Sequence, residues 1–502
     1  MKKCSKFHLF FLLITGLFSK AGGDQEIVIG SKKFTESVIL GEILTQVSQF
    51  AGFSAIHKQE LGGTQILWNA LLAGEIDMYP DYTGTLMRET LSELGLKNEA
   101  ELRQVLLSQG IGMTEPLGFN NTYAMGIKKA TWQRLNINKI SDLQNYPELT
   151  FGFSNEFMNR SDGWPGLKKY YRLPQQKVRG LDHDLAYRGL ESGDIQLTDL
   201  YSTDAEIEYY DLKILADDRG YFPAYHSVIL YRNDLKSRAP GLLKIIKKIE
   251  GQILASAMIA LNAQVKIEQN TEKSTAGRFL SSTLNMNVAL VEQSMVSALI
   301  KHTQEHLILS GISLSGAIVI SIPLGILAVR RKRLGQFILG ITGIIQTIPS
   351  LALLVFMIPF LGIGAAPAIA ALFLYSLLPI VRNTYTGLHD IPLEILESAD
   401  AMGLPRNTRL RLIEIPLASR SILAGIKTSA VINIGTATLG ALIGAGGFGQ
   451  PILTGIRLDN ISLILQGAIP AAVLAIFVQG IFESLDKVIV PKGLQIKSEN
   501  SF

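Results

Sequence analysis

Two tyrosines stand close together in a polar stretch of this chain. In the segment GEIDMYPDYTGTLM, residues 74–87, Tyr79 and Tyr82 lie among acidic residues and precede a Thr-Gly-Thr step. A tyrosine ring combines a large apolar face with a hydroxyl group that needs a partner when buried. The pair is therefore a candidate for the wall of a ligand-binding site. The alternative for either tyrosine is an ordinary position in the core or on the surface.

Hydrogen-bond donors and charges that could meet a ligand lie on neighbouring segments, and each has an ordinary alternative. Lys32 could equally be a solvated turn residue. Arg160 and Asp162, in EFMNRSDG, are expected to bridge each other inside the domain. Glu36 and Asp204 are interpreted as helix-start residues or as contacts that lock two lobes together. The remaining local donors are the hydroxyl groups and backbone of Gly30, Ser31, Thr35, Thr83 and Thr85.

No pattern for covalent or metal catalysis stands out. The single cysteine, Cys4, excludes a disulfide framework and a cysteine-based metal site. His183 and His226 are far apart in sequence and lack metal-ligand spacing. The chain also has no nucleophile elbow and no G-x-x-x-x-G-K-[ST] motif for ATP. We therefore expect no enzyme, no catalytic residue, no metal site and no cofactor in this chain.

The composition separates the chain into two halves. Hydrophobic residues make up 47% of the 502 residues and charged residues only 18%, which is low for a soluble protein. Residues 24–285 mix charges and hydrophobes as a soluble domain does, whereas long apolar runs begin near His306. A net charge of +4 is too small to indicate nucleic-acid binding.

The N-terminus has the features of a secretory signal peptide over residues 1–21. Three lysines precede an apolar run, and Ser19-Lys20-Ala21 forms a small-x-small cleavage site after Ala21. Cys4 precedes the apolar run, so it is badly placed to carry a lipid. An uncleaved anchor is the alternative, and either outcome places the following domain outside the cytoplasm.

The second half contains about five apolar runs of spanning length: Leu307 to Val329, Phe337 to Phe360, Ala366 to Ile380, Ile422 to Ala445 and Leu463 to Phe482. Arginine and lysine favour the cytoplasmic ends of spans. The RRKR sequence after the first run therefore directs that run inwards. With five spans, the 383–418 loop and the 491–502 tail are cytoplasmic. Lys427 is the only charged residue within the runs and lies near the cytoplasmic end of its run.

The cytoplasmic loop contains an ordered set of acidic, small and proline residues: Glu397, Ser398 and Ala399, then Gly403 after three residues, then Ile413, Ile415 and Pro416 after nine more. This pattern resembles the EAA loop of ABC importer permeases, with Ser398 and Ile415 as departures. Gly403 allows a sharp break and Pro405 prevents one continuous helix. The resemblance implies that the loop docks in a separate ATP-hydrolysing subunit, and that Glu397, Ala399, Gly403 and Pro416 form the ATPase-coupling element.

Two other stretches of the membrane half have irregular backbone features. TIPSL, residues 347–351, places Pro349 within a span, and GAGGFGQPI, residues 444–452, ends a span with glycines. Non-helical backbone at membrane depth occurs where it faces protein or a cavity. Both stretches are candidates for the translocation path, with simple kinks as the alternative.

The first half alternates strand and helix patterns, beginning with EIVIGSKKFTESVILGEIL, which predicts an α/β domain. Six of its segments resemble the osmoprotectant-binding proteins, which take up glycine betaine, choline, carnitine and related quaternary amines: GSKKFTE, GGTQILWNALLAGEIDMYPDYTGT, FNNTYAMGI, EFMNRSDGWPGL, GDIQLTDLYSTDAEI and DDRGYFPAYHSVILY. The resemblance implies a two-lobed periplasmic-binding-protein domain, a type II clamp, over residues 24–285. An all-α polytopic permease domain follows over residues 286–490.

The resemblance also implies a tyrosine cage around a trimethylammonium group. The matching positions are Tyr82, Tyr123, Tyr201 and Tyr225, with Tyr79 as the substitute for Tyr82. A ligand carboxylate would need donors, for which Lys32 and Thr85 are the candidate polar contacts. A quaternary ammonium has no hydrogen-bond donor, so dispersion and cation–π attraction must hold it, at roughly 0.5 to 2 kcal/mol per ring.

These observations predict a binding protein fused to a permease, acting in an ABC importer of quaternary ammonium compounds in the bacterial inner membrane. The binding domain lies on the periplasmic side, and the predicted partners are a separate ATPase and a second copy of the chain, because one chain holds one EAA loop. Three alternatives remain open: ergothioneine or another betaine as the substrate, an amino-acid importer, and a ligand-gated sensor.

Overall fold

The computed structural model describes residues 26–286 and 294–491. The predicted signal peptide, its cleavage site after Ala21 and nearly all of the predicted 491–502 tail lie outside the described residues. Part of the junction between the two halves, residues 287–293, also lies outside them.

In the described part of the chain, ten strands form two separate five-stranded sheets, and each sheet is the centre of one lobe. The strands are β1 (Ile27–Gly30), β2 (Ala55–Lys58), β3 (Met78–Tyr82), β4 (Ile111–Met113), β5 (Tyr123–Lys128), β6 (Phe151–Ser154), β7 (Val178–Leu181), β8 (Leu197–Tyr201), β9 (Leu212–Leu215) and β10 (Ser227–Arg232). The order in the first sheet is β2-β1-β3-β10-β4, and in the second sheet β7-β6-β8-β5-β9. Lobe 1 comprises residues 26–118 and 226–286, and lobe 2 comprises residues 119–225.

The chain crosses between the lobes twice, at neighbouring points. An antiparallel bridge joins Asn120 to His226 there. In each sheet one strand runs against its neighbours: β10 is antiparallel to β3 and β4, and β5 is antiparallel to β8 and β9. The predicted two-lobed α/β clamp is therefore confirmed.

Helices cover both sheets. In lobe 1 they are Thr35–Phe50, Thr64–Ala73, Thr83–Thr85, Glu99–Ser108, Leu235–Arg238, Leu242–Ile246, Ala255–Lys266 and Glu272–Leu284, with a π-helical turn at Leu86–Thr90 and 3-10 turns at Ser92–Leu94 and Lys247–Ile249. In lobe 2 they are Lys129–Leu135, Asn155–Asn159, Trp164–Tyr171, His183–Ser192 and Glu206–Tyr209, with a 3-10 turn at Ile140–Asn145. The helix Thr35–Phe50 is buried along nearly its whole length because β1, β3 and the C-terminal helices of lobe 1 pack around it.

The second half is entirely helical over its described residues. Its helices are Met295–Arg330, Lys332–Thr347, Ser350–Leu361, Ala365–His389, Leu393–Ala401, Arg406–Arg409, Leu410–Glu414 (π), Ile415–Ala437, Thr438–Ile443 (3-10), Gly449–Arg457 and Ile461–Ile489. Four of these stretches are long and apolar enough to cross a membrane, and a fifth crossing results if a bent pair counts as one. The predicted helical membrane domain is confirmed.

The bent pair corrects one sequence interpretation. The apolar run from Phe337 to Phe360 is not one straight span, because Lys332–Thr347 and Ser350–Leu361 meet at 100°. Pro349 lies at the break, where it precedes the second helix. Proline has no backbone N–H and disfavours helical geometry in the residue before it, so the chain turns sharply there.

Candidate functional site

A cleft between the two lobes brings together residues from distant parts of the sequence. It is lined by Lys32, Phe34, Thr64, Tyr82, Thr85, Asn121, Tyr123, Glu156, Arg160, Tyr201 and Tyr225. The four cage tyrosines, Lys32 and Thr85 all lie in this set, whereas the candidate donors Gly30, Ser31, Thr35 and Thr83 do not. Four further residues, Phe34, Thr64, Asn121 and Glu156, were missed, although each lies in a sequence segment that carries the family resemblance.

Strand β3 decides which tyrosine of the opening stretch reaches the cleft. Successive residues of a strand point to opposite faces of the sheet. Tyr82, the last residue of β3, lines the cleft. Tyr79, three positions earlier, is fully buried in the core of lobe 1 with Trp68 and Leu102. The substitute candidate therefore has a core role.

Aromatic rings form a continuous row across the cleft. The ring centroids of Tyr82 and Phe34 are 6.2 Å apart, those of Phe34 and Tyr201 5.4 Å, and those of Tyr201 and Tyr123 5.1 Å. Tyr225 completes the row, edge-on to Tyr123 at 5.7 Å. The row joins both lobes, because Phe34 and Tyr82 belong to lobe 1 and the other rings to lobe 2.

Sheet register places two of these rings side by side. Tyr123 is the first residue of β5 and Tyr201 the last residue of β8, and the antiparallel register pairs them directly. Directly opposed residues in such a pair have side chains on the same face of the sheet. The two tyrosines therefore face the cleft as neighbours, although 78 positions separate them in sequence.

The Thr-Gly-Thr step makes room for Tyr225. A Cβ atom added at Gly84 would lie 2.5 Å from the Tyr225 ring, which is closer than van der Waals contact permits. Only glycine allows this approach of backbone to ring. Thr83, a predicted donor, instead accepts a hydrogen bond from the backbone N–H of His226 at 3.1 Å, whereas Thr85 lines the cleft.

Two of the four cleft tyrosines have hydroxyl groups that are anchored by carboxylates. Tyr82 donates a hydrogen bond to Glu36 at 2.5 Å, and Tyr225 donates one to Asp162 at 2.8 Å. Burial, together with the nearby acids, raises the pKa of both tyrosines well above the usual value. The rings therefore stay neutral, with orientations fixed by their hydroxyl groups.

Lys32 is buried rather than solvated. Its side chain is 5% exposed and donates to Asp81 at 2.7 Å. The ammonium also lies 5.8 Å from the centre of the Tyr82 ring. The interpretation of Lys32 as a solvated turn residue is therefore wrong, and the lysine belongs to the wall of the cleft.

Arg160 both forms the expected internal bridge and lines the cleft. It donates to the two carboxylate oxygens of Asp162 at 2.8 and 2.7 Å and also pairs with Glu89 of lobe 1. Its guanidinium lies 5.4 Å from the centre of the Tyr123 ring. Burial opposes ionisation of Asp162, yet the bonds from Arg160 hold the pKa of this carboxyl below its usual range.

Glu36 joins the two lobes behind the aromatic row. Besides Tyr82, it accepts hydrogen bonds from Asn121 at 2.8 Å, from Thr203 of lobe 2 at 2.5 Å and from Asn262 at 3.3 Å. Burial raises the pKa of Glu36 to about 7, against the lowering effect of the bonds from Thr203, Tyr82 and Asn262. This residue matches the sequence interpretation of a contact between lobes.

A second polar group supports Tyr201 from lobe 2. The ring centroids of His183 and Tyr201 are 4.7 Å apart, and His183 forms a hydrogen bond with the Asp204 carboxylate at 3.2 Å. Burial lowers the pKa of His183, but the neighbouring Asp204 carboxylate outweighs it and raises that pKa to about 10. Asp204 also accepts bonds from the Tyr187 hydroxyl at 2.5 Å and the Tyr201 backbone N–H at 2.8 Å.

The loop with the EAA-like pattern forms a short helix, Leu393–Ala401, called the coupling helix below. Ala399 is fully buried, whereas Glu397 is exposed. Gly403 has a φ of +72° and turns the chain after the helix, a conformation that favours glycine. Pro416 is the second residue of the helix Ile415–Ala437.

An arginine braces the return of this loop. Arg409 donates to Asp400 at 2.6 Å and to Glu414 at 2.7 Å. Large apolar side chains stay exposed around the coupling helix, namely Leu393, Met402 and Leu412. The loop therefore presents a braced helix with an apolar exposed surface.

Comparison with known proteins follows the same division. Residues 25–282 match the family described as the substrate binding domain of ABC-type glycine betaine transport systems. Residues 318–492 match the binding-protein-dependent transport system inner membrane component.

Individual relatives resemble one or both halves. The glycine betaine/carnitine/choline transport system permease protein OpuCB of Bacillus subtilis (strain 168) is 44% identical over 203 residues, 40% of this chain and 94% of that protein. The ergothioneine transport permease/ergothioneine binding protein EgtU of Helicobacter pylori (strain G27) is 34% identical over 285 residues, 54% of this chain and 51% of that protein. A crystal structure of a glycine betaine/carnitine/choline ABC transporter is 28% identical, with a TM-score of 0.45, and covers 52% of this chain and 100% of that one.

Proposed function

Because this chain belongs to the glycine betaine-type substrate-binding family, and its second half to the binding-protein-dependent permeases, we propose that it binds quaternary ammonium compounds between its lobes and passes them through its own permease domain. The chain is a membrane component of an osmoprotectant-type ABC importer, and it is not an enzyme. The proposed substrates are glycine betaine, choline and carnitine.

The row of neutral rings is the observation that carries this proposal. Five rings from both lobes line one cleft, with neighbouring centroids 5.1 to 6.2 Å apart. A trimethylammonium group placed against such rings gains cation–π attraction of about 0.5 to 2 kcal/mol per ring. Neutral, anchored hydroxyl groups keep the ring faces available to that cation.

The charged residues of the cleft suit a zwitterion or a cation. Lys32 and Arg160 are each balanced by a buried carboxylate, Asp81 and Asp162. A ligand carboxylate can still be attracted to these cations, because lysine and arginine carry several donors. Glu156 adds a negative group to the same wall, which favours the positive end of a ligand.

Transport requires partners beyond this chain. We propose that the coupling helix docks in a separate ATPase subunit through Glu397 and the exposed apolar side chains around it. Two copies of the chain would form the pore, each contributing one coupling helix. Cross-linking of a cysteine at Glu397 to the co-expressed ATPase, and native mass spectrometry of the purified complex, would measure this assembly.

Titration of the purified full-length chain tests the ligand class. Glycine betaine, choline, carnitine, ergothioneine and a neutral amino acid would be compared by calorimetry. We expect binding of trimethylammonium compounds, and a loss of at least about tenfold in affinity in Tyr201→Ala/Tyr225→Ala. Tyr201→Phe and Tyr225→Phe are matched controls that keep the rings. Binding of the amino acid alone would contradict the tyrosine cage.

A second candidate substrate is ergothioneine, a betaine whose trimethylammonium group is joined to a sulfur-bearing imidazole. The similarity to EgtU supports it, and Glu156 offers an acceptor for a ring N–H. Under this candidate, Glu156→Gln weakens binding of ergothioneine but leaves glycine betaine affinity nearly unchanged. Equal loss for both ligands would count against it.

A further inference from the structure

The segment before the last membrane span packs against the binding domain. After a run of glycines with positive φ, the chain forms the helix Gly449–Arg457, called the docking helix below. The face that contacts the binding domain repeats at the i, i+4 and i+7 spacing of one helix surface. It consists of Gln450, Thr454 and Arg457. The glycine-rich stretch, a candidate for a kink or for the translocation path, thus leads into a contact between domains, and those two interpretations stay predictions.

One carboxylate of lobe 1 receives all three side chains of this face. Gln450 and Thr454 each donate to Glu60 at 2.9 Å, and Arg457 forms an ion pair with it. Glu60 is buried and has a φ of +58°. A non-glycine residue in this region is strained, and such residues cluster at functional sites. The loop therefore holds an unfavourable conformation in which its carboxylate meets the membrane domain.

Arg457 is enclosed by three segments of lobe 1. Only 4% of its side chain is exposed. Besides Glu60, it pairs with Glu272 and donates to the Thr35 hydroxyl at 3.0 Å. Removing one partner of a buried ion pair leaves an uncompensated charge, which is strongly destabilising. Lobe 1 is thus anchored to the docking helix through the charge of Arg457, which both Glu60 and Glu272 balance.

Apolar contacts extend the same interface. A Cβ atom added at Gly444 would lie only 2.4 Å from the side chain of Leu61, the residue after Glu60. Ile363 of the membrane domain is buried in the core group of lobe 1 that contains Leu61 and Trp68. The contact with lobe 1 therefore combines an ion cluster with buried apolar surface.

Lobe 2 is attached far more weakly. Its direct ion pair with the membrane domain, Arg188 with Asp459, has side chains that are 48% and 54% exposed, and such pairs contribute little. Within residues 26–286 and 294–491, a second connection passes through Lys266 of lobe 1. This lysine pairs with Asp184 and Glu206 of lobe 2 and donates to the backbone carbonyl oxygen of Arg457 at 2.9 Å.

We propose that lobe 1 stays fastened to the docking helix while ligand enters and leaves, that lobe 2 is the moving part, and that Lys266 transmits its closure to the membrane domain. An ammonium group has three donors. The single ammonium group of Lys266, a residue of lobe 1, binds both lobe 2 and the docking helix. Opening of lobe 2 removes two carboxylates from Lys266 and so alters its hold on Arg457. The fastening of lobe 1 stands independently of the ligand, whereas the transmission step rests on the proposed function.

Distances between spin labels in the full-length chain test both steps. Cys4→Ser gives a cysteine-free background, and exposed positions are available at Gln104 in lobe 1, Lys169 in lobe 2 and Gln304 in the membrane domain. With cysteines at these sites, we expect a narrow distribution of distances between the labels of lobe 1 and the membrane domain. Glycine betaine should not change this distribution. The lobe 2 to membrane distance should shift or narrow when glycine betaine is added. A lobe 1 distance that is broad without ligand would overturn the fastening.

Two substitutions separate the roles of the charged residues. Arg457→Gln should broaden the lobe 1 distance, whereas the matched control Arg188→Gln should leave it narrow. Lys266→Met should keep the lobe 1 distance narrow and still allow lobe 2 to move when glycine betaine is added, but glycine betaine should no longer stimulate ATP hydrolysis by the co-purified ATPase. An unchanged lobe 1 distance in Arg457→Gln, or full stimulation of ATP hydrolysis by glycine betaine in Lys266→Met, would refute the corresponding step. Tryptophan fluorescence would verify folding, because all three tryptophans, Trp68, Trp132 and Trp164, lie in the binding domain.

Failure of this proposal can be told apart from failure of the proposed function. The comparison of Arg457→Gln with Arg188→Gln needs no ligand, so it decides the fastening even if no quaternary amine binds. If glycine betaine binds by calorimetry but the lobe 2 distance does not respond, the transmission step is wrong while the proposed function stands.

Discussion

The two lobes contribute different chemistry to one cleft. Lobe 1 supplies buried ion pairs, Lys32 with Asp81 at the cleft and Glu60 with Arg457 at the membrane domain. Lobe 2 supplies most of the rings, with Tyr123 packed among Phe157, Tyr201, Phe222 and Tyr225. Buried ion pairs fix geometry because they tolerate no loss of a partner, whereas ring contacts are less directional. Lobe 2 also holds a buried ion pair, Arg160 with Asp162, so the lobes differ in what their contacts serve. Ion pairs fasten lobe 1 to the membrane domain, whereas lobe 2 supplies most of the aromatic surface of the cleft.

The largest expected effect comes from removing one aromatic ring of lobe 2, which leaves a cavity. Tyr123→Ala removes a buried side chain that contacts four other rings. We expect destabilisation of about 3 to 5 kcal/mol and loss of ligand binding. Tyr123→Phe, which keeps the ring, should retain most of both properties. Tryptophan-fluorescence melting and calorimetry would measure the two effects, and intact stability in Tyr123→Ala would contradict the ring-based core.

Adjacent lysines of lobe 1 provide a matched pair for the buried charge. Lys32→Met leaves Asp81 buried without its cation, so we expect a loss of about 3 to 5 kcal/mol in stability. Lys33→Met removes a half-exposed contact with Asp182 at 3.8 Å, worth no more than about 1 kcal/mol. Denaturant titration followed by tryptophan fluorescence would compare the two. Equal losses of stability in the two variants would contradict the larger contribution of the buried ion pair.

The lobes should also differ in their dependence on pH. Glu36 of lobe 1 has a pKa raised to about 7 by burial. Its contribution is full below its unfolded pKa of about 4.3 and is lost as pH rises to 7, by about 4 kcal/mol in total. His183 of lobe 2, with a pKa raised to about 10, loses its contribution between about 6.5 and 10. Glu36→Gln should flatten the stability curve below pH 7, and His183→Gln should flatten it above. An unchanged slope in either variant would contradict the corresponding assignment.

The smallest of these effects concerns the contact between the lobes at Gly84. In Gly84→Ala, the added methyl group must displace the ring of Tyr225, and overpacking of this kind costs about 1 to 3 kcal/mol. We expect weaker ligand binding with little change in lobe 2 itself. Calorimetry would compare Gly84→Ala with Gly84→Ser, which adds a larger side chain at the same position. A graded loss from glycine to alanine to serine would support the close approach, and unchanged affinity would refute it.

Local patterns were sufficient to predict much of the fold and the composition of the cleft. Alternating strands and helices predicted the α/β domain, and apolar runs predicted the spans, because burial against a sheet and burial in lipid each leave a periodic or continuous signal. The motif segments also contained Phe34, Asn121 and Glu156, but no periodicity distinguishes a residue that faces a cleft from one that faces a core. Strand register made that choice, as it did between Tyr79 and Tyr82.

Composition and spacing along the chain were enough to predict the two-part organisation, the EAA-like loop and the residue types of the cleft. Packing of the folded chain buries Lys32 against Asp81, turns the chain by 100° at Pro349 and brings Arg457 to Glu60 and Glu272. Arg457 and Glu60 are 397 positions apart. Partners at such separation leave no local pattern, so their meeting is set by how the domains pack.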